Sequence, residues 1–344
     1  MKPSLILDQH FRKLEELFSA STFEALRDLC EVHGGQNWPM PNTRIDELLP
    51  KAEFYVAAQP VLSASGVARA QNLRATIEVS GAFRTGLDYE ACFSRGIEVL
   101  SCSPGFRTSV AEMTLAMILA GGRGLVAEHE AFRHGAERWL DDRESTDFSL
   151  YGQTIGFIGY GQISRETHRL LAPFAPNVLA HDPYLAGETE NVTLCDLETL
   201  VARCRVVVVA AVPSEDTRGL LSAKLIERLR PGALVVLISR AWCADFNALV
   251  KAAESGRITV ATDVFPEEPL MANDPLRQAR NVILSPHRAA AVPEGRQLIG
   301  DMILHDVTAI LDGRPERQLK AADPDLVQGL VSAQNNIGVL PNTS

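Results

Sequence analysis

The chain has 344 residues, of which 46% are hydrophobic and 22% charged, and its formal net charge at pH 7 is −10. This composition is typical of a folded globular protein, and the length suffices for two domains with separate cores. The negative charge disfavours a nucleic-acid surface, because binding phosphates needs a concentrated patch of Lys and Arg, and the sequence has no such run.

The sequence also disfavours a membrane segment and a metal site. The longest apolar run, residues 206–213, is too short to cross a bilayer, and the N-terminal stretch turns charged too soon for a signal peptide. A cytoplasmic protein is the expectation. The six cysteines are scattered, with neither a C-x-x-C pair nor a His/Cys cluster of zinc spacing, which favours free thiols and no metal.

Before residue 110, short apolar runs alternate with helical patterns and predict a smaller α/β domain. The predicted strands are SLILD (4–8), EFYVAA (53–58), RATIEV (74–79) and GIEVLSC (96–102). STFEALRDLCEVHGG (21–35) is a predicted helix between the first two strands. The next segment, SVAEMTLAMILAGGRGL (109–125), predicts one long amphipathic helix that could bridge two domains.

The middle of the chain has the alternation of stacked βαβ units. Its predicted strands are residues 154–159, 178–182, 206–212, 233–239, 258–263 and 281–285. They are rich in β-branched residues and almost continuously apolar, which is typical of parallel strands covered on both faces.

A glycine-rich turn follows the first of these strands. Gly159-Tyr160-Gly161-Gln162-Ile163-Ser164 precedes a helical pattern, as in a dinucleotide-binding turn where the first glycine allows a sharp bend and the second lets the backbone approach the pyrophosphate. The phosphates would bind at the helix N-terminus. Ser164 stands where a third Gly or Ala is usual, but it is small enough for close packing of the helix on the strand.

Asp182 ends the next strand, about twenty residues on, where a carboxylate would bind the ribose hydroxyls. Alone it could be a strand-end cap before Pro183. Following the glycine turn, it favours NAD over NADP, because a carboxylate repels a 2′-phosphate. Pro213, after the third strand, is assigned to the same cofactor site.

Three residues with catalytic chemistry follow consecutive strands: Arg240, Glu268 and His287. Reduction of a 2-keto acid needs a cation to bind the carboxylate and polarise the carbonyl, and a proton donor for the alkoxide. Arg suits the first task, and His, supported by a carboxylate, the second. Taken singly, they could be a helix cap, a solvated loop residue and a turn residue; their placement at successive strand ends favours a common site.

These segments resemble the D-isomer-specific 2-hydroxyacid dehydrogenase family over nearly the whole chain. The resembling stretches are SVAEMTLAMILAGGR (109–123), SLYGQTIGFIGYGQISRETHRLLAPF (149–174), LRPGALVVLISRA (229–241), ATDVFPEEPL (261–270), LSPHRAA (284–290) and LDGRPERQ (311–318). The resemblance implies Arg240 as the catalytic arginine, Glu268 as the carboxylate partner, His287 as the acid/base, and Asp263 beside the nicotinamide. Glu268 disfavours the formate dehydrogenase branch, which carries Gln there.

The family grips the substrate carboxylate with a loop of the type G-x-G-x-D-N-I-D, and residues 80–88 correspond to it with changes. We expect Ala82 and Phe83 to offer backbone N–H groups, and Arg84 to add a cation for an anionic substrate; alternatively, Arg84 points to solvent. Cys102 and Leu237 stand where the family commonly has Asn. These departures leave the substrate side chain open.

The resemblance predicts an α/β fold of two Rossmann/flavodoxin-like domains with parallel sheets. Residues 1–110 plus 289–344 would form the substrate-binding domain, and residues 111–288 the inserted NAD-binding domain, with the active site in the cleft. Residues 124–139 resemble the family's dimer-contact helix, which predicts a homodimer.

The predicted function is that of an NAD(H)-dependent D-2-hydroxyacid dehydrogenase acting on a small 2-keto or 2-hydroxy acid. Two alternatives are a relative active on a phosphonate or sulfonate, which Arg84 and Arg107 would favour, and a non-catalytic NAD-sensing or corepressor-like module.

Overall fold

The computed structural model describes residues 2–81, 83, 86–140, 147–185, 191–324 and 327. The chain divides into two units: unit 1 comprises Met1–Arg107 with Ala291–Ser344, and unit 2 comprises Thr108–Ala290. Each unit is an α/β layer structure built on a largely parallel sheet, so the predicted pair of parallel α/β domains is confirmed.

The helices and strands are numbered in chain order over the described residues. The strands are β1 (Ser4–Asp8), β2 (Glu31–Gly34), β3 (Phe54–Ala57), β4 (Ala75–Glu78), β5 (Glu98–Ser101), β6 (Thr154–Ile158), β7 (Asn177–His181), β8 (Thr193–Leu194), β9 (Val206–Val209), β10 (Leu234–Leu237), β11 (Thr259–Thr262), β12 (Val282–Leu284) and β13 (Lys320–Ala321). The α-helices are α1 (Leu14–Leu17), α2 (Ala20–Leu29), α3 (Asn42–Leu48), α4 (Ala64–Arg69), α5 (Tyr89–Ser94), α6 (Arg107–Gly122), α7 (Leu125–Arg133), α8 (Gln162–Leu171), α9 (Leu197–Arg203), α10 (Ala223–Glu227), α11 (Phe246–Glu254) and α12 (Pro293–Leu311).

The described residues of unit 1 form a six-stranded sheet in the order β13-β5-β4-β3-β1-β2. Strands β1 to β5 are parallel, and β13 pairs antiparallel with β5. Both faces are covered: Leu5 and Leu7 belong to one hydrophobic core and Ile6 to another. This explains why the unit 1 strands are apolar at successive positions.

The predicted helix over residues 21–35 is wrong in its second half. Helix α2 ends at Leu29, and Glu31–Gly34 forms β2 beside β1, with Val32 opposite Leu5. Gly34 has φ +109°, which a helix cannot accommodate. Val32 favours an extended strand, so tertiary pairing overrides the helical pattern of the preceding residues.

The predicted helix over residues 109–125 is α6, which already ends at Gly122. A left-handed Gly124 (φ +59°) separates it from α7. Leu119 is exposed on α6, so the helix is less amphipathic than predicted. No single helix among the described residues is long and apolar enough to cross a bilayer, although the bent pair Ser103–Gly122 and Leu125–Arg133 has that length and composition together.

Unit 2 carries, in the described residues, a seven-stranded parallel sheet in the order β12-β11-β10-β9-β6-β7-β8. The six strands predicted between residues 154 and 285 are confirmed as β6, β7, β9, β10, β11 and β12; β8 was not predicted. The chain order reverses between β6 and β9. In open α/β sheets such a reversal opens a crevice at the carboxyl ends of the strands, where ligands bind.

Candidate active site

The turn after β6 needs a glycine at its first position. Gly159 has φ +84°, and a Cβ there would lie 2.6 Å from Ala211 Cα and 2.7 Å from Ala211 N. Its N–H donates to the carbonyl of His181 at 2.8 Å, which joins the turn to the end of β7. The turn therefore lies closely against the segment after β9, at the point where the strand order reverses.

The second glycine faces open space. Gly161 precedes α8, and a Cβ built on it meets no atom within 4 Å. No side chain caps the N-terminus of this helix. The first-turn N–H groups and the helix dipole make this position suitable for an anionic group such as a pyrophosphate.

Ser164 fulfils the packing role of the third small residue. Its side chain is buried, and its hydroxyl donates to the carbonyl of Gly159 at 2.6 Å. A buried hydroxyl requires such a partner. The serine therefore links α8 to the turn without adding bulk.

The Asp182 carboxylate accepts hydrogen bonds from the backbone N–H groups of Tyr160 at 2.8 Å and Tyr184 at 3.0 Å. It lies beside a shallow surface concavity of about 390 Å³, which is lined by Ala180, His181, Asp182, Pro183, Leu185, Leu194, Cys195 and Asp196. The acid, the open position at Gly161 and the uncapped helix together fit a dinucleotide cofactor.

The other predicted cofactor residues lie in the turn itself, at the start of α8 and in the loop after β9. The Tyr160 hydroxyl is hydrogen-bonded to His168 Nδ1 at 2.6 Å and the residue is buried, so its side chain packs inward. Gln162 and Ile163 begin α8, and Pro213 lies in the loop after β9. Burial lowers the pKa of His168, so the imidazole is neutral at pH 7.

Glu268 and His287 form a pair beyond the carboxyl ends of β11 and β12. His287 Nδ1 lies 2.6 Å from Glu268 Oε2. Burial opposes ionisation of Glu268, but the hydrogen bond from His287, the N–H of Phe265 at 2.9 Å and the charges of His287 and Arg240 outweigh it and lower its pKa. Since the ionised carboxylate can only accept, Nδ1 must carry the hydrogen, which leaves Nε2 for a substrate.

The turn that carries His287 is held by Asp263. The buried carboxylate accepts from the N–H groups of Arg288 at 2.8 Å and Ala289 at 2.9 Å, and from the hydroxyl of Ser285 at 2.5 Å. His287 itself has φ +50°, a conformation that costs free energy and persists only where its surroundings impose it. The sequence predicted Asp263 beside the nicotinamide and missed this positioning of His287.

Arg240 follows β10 after Ile238 and Ser239, and its charge contributes to the lowered pKa of Glu268. Its guanidinium donates to the carbonyl of Ser239 at 2.7 Å. Unit 2 therefore pairs an imidazole with a carboxylate, and the charge of Arg240 acts on that carboxylate. Among the residues that the structure describes, no group of three or more His, Cys, Asp or Glu could hold a metal ion.

The predicted substrate loop lies in unit 1 and is organised by Glu78 at the end of β4. Its buried carboxylate accepts from the N–H groups of Ser80 at 2.5 Å and Gly81 at 2.8 Å, and also from the Ser80 hydroxyl. Nothing in the sequence patterns had pointed to this acid.

Gly81 has φ +92°, and a Cβ there would meet Phe106 at 2.6 Å. Phe83 is buried, whereas Ala82 and Arg84 lie outside the described residues. Arg107 is the first residue of α6.

Residues 115–289 match the model of the NAD binding domain of D-isomer specific 2-hydroxyacid dehydrogenases. The chain is 30% identical over 300 residues to a glyoxylate reductase of Thermofilum pendens, covering 84% of this chain and 87% of the relative. It is also 30% identical over 274 residues to a D-3-phosphoglycerate dehydrogenase of Archaeoglobus fulgidus, covering 78% of this chain and 51% of that protein. The chain thus spans about half the length of this longer relative.

Among solved structures, a phosphoglycerate oxidoreductase from Rhizobium etli matches with a TM-score of 0.83 and 33% identity, covering 94% of this chain and 99% of that one.

Proposed function

The chain belongs to the D-isomer specific 2-hydroxyacid dehydrogenase family, and we propose that it interconverts a small 2-keto acid and the corresponding D-2-hydroxy acid. The observation that carries this proposal is the 2.6 Å pair between His287 and Glu268, with Arg240 close enough to affect the ionisation of that glutamate. Bound NAD(H) supplies or accepts the hydride at C2 of the substrate.

The chain's own residues would provide binding and proton transfer. The guanidinium of Arg240 would bind the substrate carboxylate and polarise the carbonyl oxygen. His287 would donate a proton from Nε2 as the alkoxide forms and take it back in the oxidation direction. The Glu268 carboxylate, bound to Nδ1, would hold the imidazole and stabilise its protonated form.

For the cofactor, Gly161 and the N-terminus of α8 would hold the pyrophosphate, and Asp182 the ribose hydroxyls. The carboxylate of Asp182 favours NADH over NADPH through repulsion of the 2′-phosphate. Phe83 and its neighbour Ala82 would contribute backbone N–H groups to the substrate carboxylate.

Helix α7 supports a homodimer. None of the residues of α7 is buried, and its apolar side chains include Leu125, which is 63% exposed, and Phe132, which is 59% exposed. Trp139, which follows the helix and is 75% exposed, packs edge-on against Phe132. Exposed apolar clusters mark interaction surfaces. Light scattering should give the mass of a dimer for the wild type and a smaller mass for Phe132→Ser. Tyr184→Ser is the control: it alters another exposed aromatic residue and should leave the mass unchanged.

The test of activity is oxidation of NADH, followed by absorbance, with 2-keto acids from glyoxylate and hydroxypyruvate to bulky aromatic ones. We expect turnover with at least one acid, and a loss of about 100-fold or more in kcat for His287→Gln. His305→Gln is the matched control, because His305 Nδ1 is also paired with a carboxylate, that of Asp306, at 2.8 Å, but on helix α12.

The control variant should retain wild-type turnover. NADH binding without turnover of any acid would refute the proposed activity and favour an NAD-sensing module. Equal kcat values for His287→Gln and the wild type would refute the role of His287.

A further inference from the structure

The turn after β6 has one side chain between its two glycines, that of Tyr160. This side chain is turned inward, and the residue is only 4% exposed. Its hydroxyl lies 2.6 Å from Nδ1 of His168, in the second turn of α8. A tyrosine hydroxyl that is buried with its ring requires such a partner, and the imidazole supplies it.

The ring of Tyr160 is held from two further sides. Phe157 of β6 packs edge-on against it, with the ring centres 5.7 Å apart. On the other side, the guanidinium carbon of Arg165 lies 5.0 Å from the centre of the ring, at a distance typical of a cation–π contact. The side chain therefore joins the strand before the turn to the helix after it.

The backbone of the same residue is joined to the proposed ribose site. The N–H of Tyr160 donates to the Asp182 carboxylate at 2.8 Å. Tyr160 is thus bound to β6, to α8 and to the segment after β7. A displacement of its side chain would move this N–H together with the turn.

The two glycines make an anchor of this kind necessary. Glycine loses more conformational freedom on ordering than any other residue, so a turn with two glycines is costly to hold in one conformation. Gly161 has no neighbour within 4 Å of the position of a Cβ, so packing on that side does not fix it. A turn that is ordered before the cofactor arrives binds it more tightly, because the entropy has already been lost.

We propose that His168 is a positioning residue for the cofactor: its bond to the Tyr160 hydroxyl holds the glycine turn in the conformation that receives the pyrophosphate. His168 acts through Tyr160, and the proposal requires no contact between the imidazole and the cofactor. The inference rests on the proposed function, because it assumes that the turn after β6 is the cofactor site.

The test measures the dissociation constant of NADH by fluorescence titration of the full-length protein. Tyr160→Phe removes only the hydroxyl, and His168→Leu removes its partner. Each should weaken NADH binding by about three- to tenfold, the range expected for the net loss of one hydrogen bond. The double variant should bind NADH no more weakly than the weaker single variant, because both changes remove the same bond.

A conservative variant separates the hydrogen bond from the bulk of the ring. His168→Asn keeps a polar atom at the position of Nδ1, and an amide can either donate or accept, so it should restore the NADH dissociation constant to within about twofold of the wild type. Tyr151→Phe is the matched control. It removes the same hydroxyl from an exposed tyrosine of unit 2 and should leave NADH binding unchanged.

A merely structural bond would give a different result. Urea unfolding without cofactor measures stability separately, and a loss of stability in His168→Leu with an unchanged NADH dissociation constant would overturn the positioning role. In kinetics, His168→Leu should raise the KM for NADH while kcat at saturating NADH falls less than about twofold. If His168→Leu fails to fold, Tyr160→Phe, which loses a single oxygen, still tests the bond.

The binding measurement also separates this inference from the proposed activity. Absence of turnover with every 2-keto acid would refute the activity, yet the expected order of NADH affinities would stand. Equal NADH dissociation constants for the wild type, Tyr160→Phe and His168→Leu would overturn the role of His168 and leave the proposed function intact.

Discussion

Alanine at the two glycines of the turn after β6 should affect different properties: Gly159→Ala the stability of the fold, and Gly161→Ala the binding of NADH. At Gly159 the left-handed φ of +84° costs an alanine about 1–2 kcal/mol. The added Cβ would also lie 2.6 Å from Ala211 Cα, and because the obstacle is backbone, the segment after β9 must shift, at a cost of about 1–3 kcal/mol. We therefore expect Gly159→Ala to lower the free energy of unfolding by about 2–5 kcal/mol.

Gly161→Ala is the matched variant. Gly161 has φ −79° and ψ −159°, extended backbone that alanine adopts, and its Cβ would meet nothing within 4 Å. The free energy of unfolding should therefore change by less than about 0.5 kcal/mol. If the open space receives the cofactor pyrophosphate, however, the methyl group should weaken NADH binding by about tenfold or more.

Urea unfolding without cofactor measures the first quantity, and titration of NADH fluorescence measures the second. The predicted pattern is a destabilised Gly159→Ala protein and a stable Gly161→Ala protein that binds NADH poorly. A Gly161→Ala protein with both wild-type stability and wild-type NADH affinity would exclude this turn as the cofactor site. A Gly159→Ala protein as stable as the wild type would refute the argument from backbone contact.

Three further predictions concern the carboxylates of unit 2. Because the folded-state pKa of Glu268 lies below 4.5, its ionised form adds stability that is present above about pH 4.5 and is lost as the pH falls through the lowered pKa. The difference in the free energy of unfolding between wild type and Glu268→Gln, measured in urea, should therefore narrow as the pH falls below about 4.5. A difference that grows in that range would contradict the assignment. Asp263→Asn should lower kcat for a 2-keto acid and destabilise the protein by about 1–3 kcal/mol, because it disturbs the turn that carries His287. The KM for NADH should stay within about threefold of the wild-type value. A selective rise in the KM for NADH would instead support contact between Asp263 and the nicotinamide. The KM for NADH should be lower than that for NADPH, and Asp182→Ser should narrow the gap; a lower KM for NADPH in the wild type would disprove the predicted preference.

Local sequence patterns predicted the parts of the fold that depend on local stereochemistry. Continuous apolar runs identified the central strands because a parallel sheet buries both faces. The turn at Gly159 was recognisable because a sharp bend after a strand restricts which residues fit. The same reasoning failed at residues 31–34, where pairing with β1 decides the conformation and the preceding helical pattern does not.

Contacts between distant segments could not be predicted in this way. Asp263 bonds to N–H groups 25 and 26 residues later, which depends on β11 and β12 being neighbours. The role of Glu78 depends on the path of the chain after β4, and a single acid in an apolar run gives no sign of it. The Glu16 carboxylate of α1 binds Arg296 of α12 at 2.8 Å, 280 residues further along the chain.

The two sheets share a topological feature but not the residues placed there. Each reverses its strand order once, between β1 and β3 in unit 1 and between β6 and β9 in unit 2, which creates a position for a ligand at the carboxyl ends. In unit 2 the position is formed by glycines and a helix N-terminus, which suit a pyrophosphate because backbone N–H groups can approach it closely. In unit 1 the end of β1 is followed by Gln9, whose side chain is completely buried. Because topology fixes only where a ligand can bind, the chemistry of each position has to be argued from its own residues, and the Gly161 variant tests the position in unit 2.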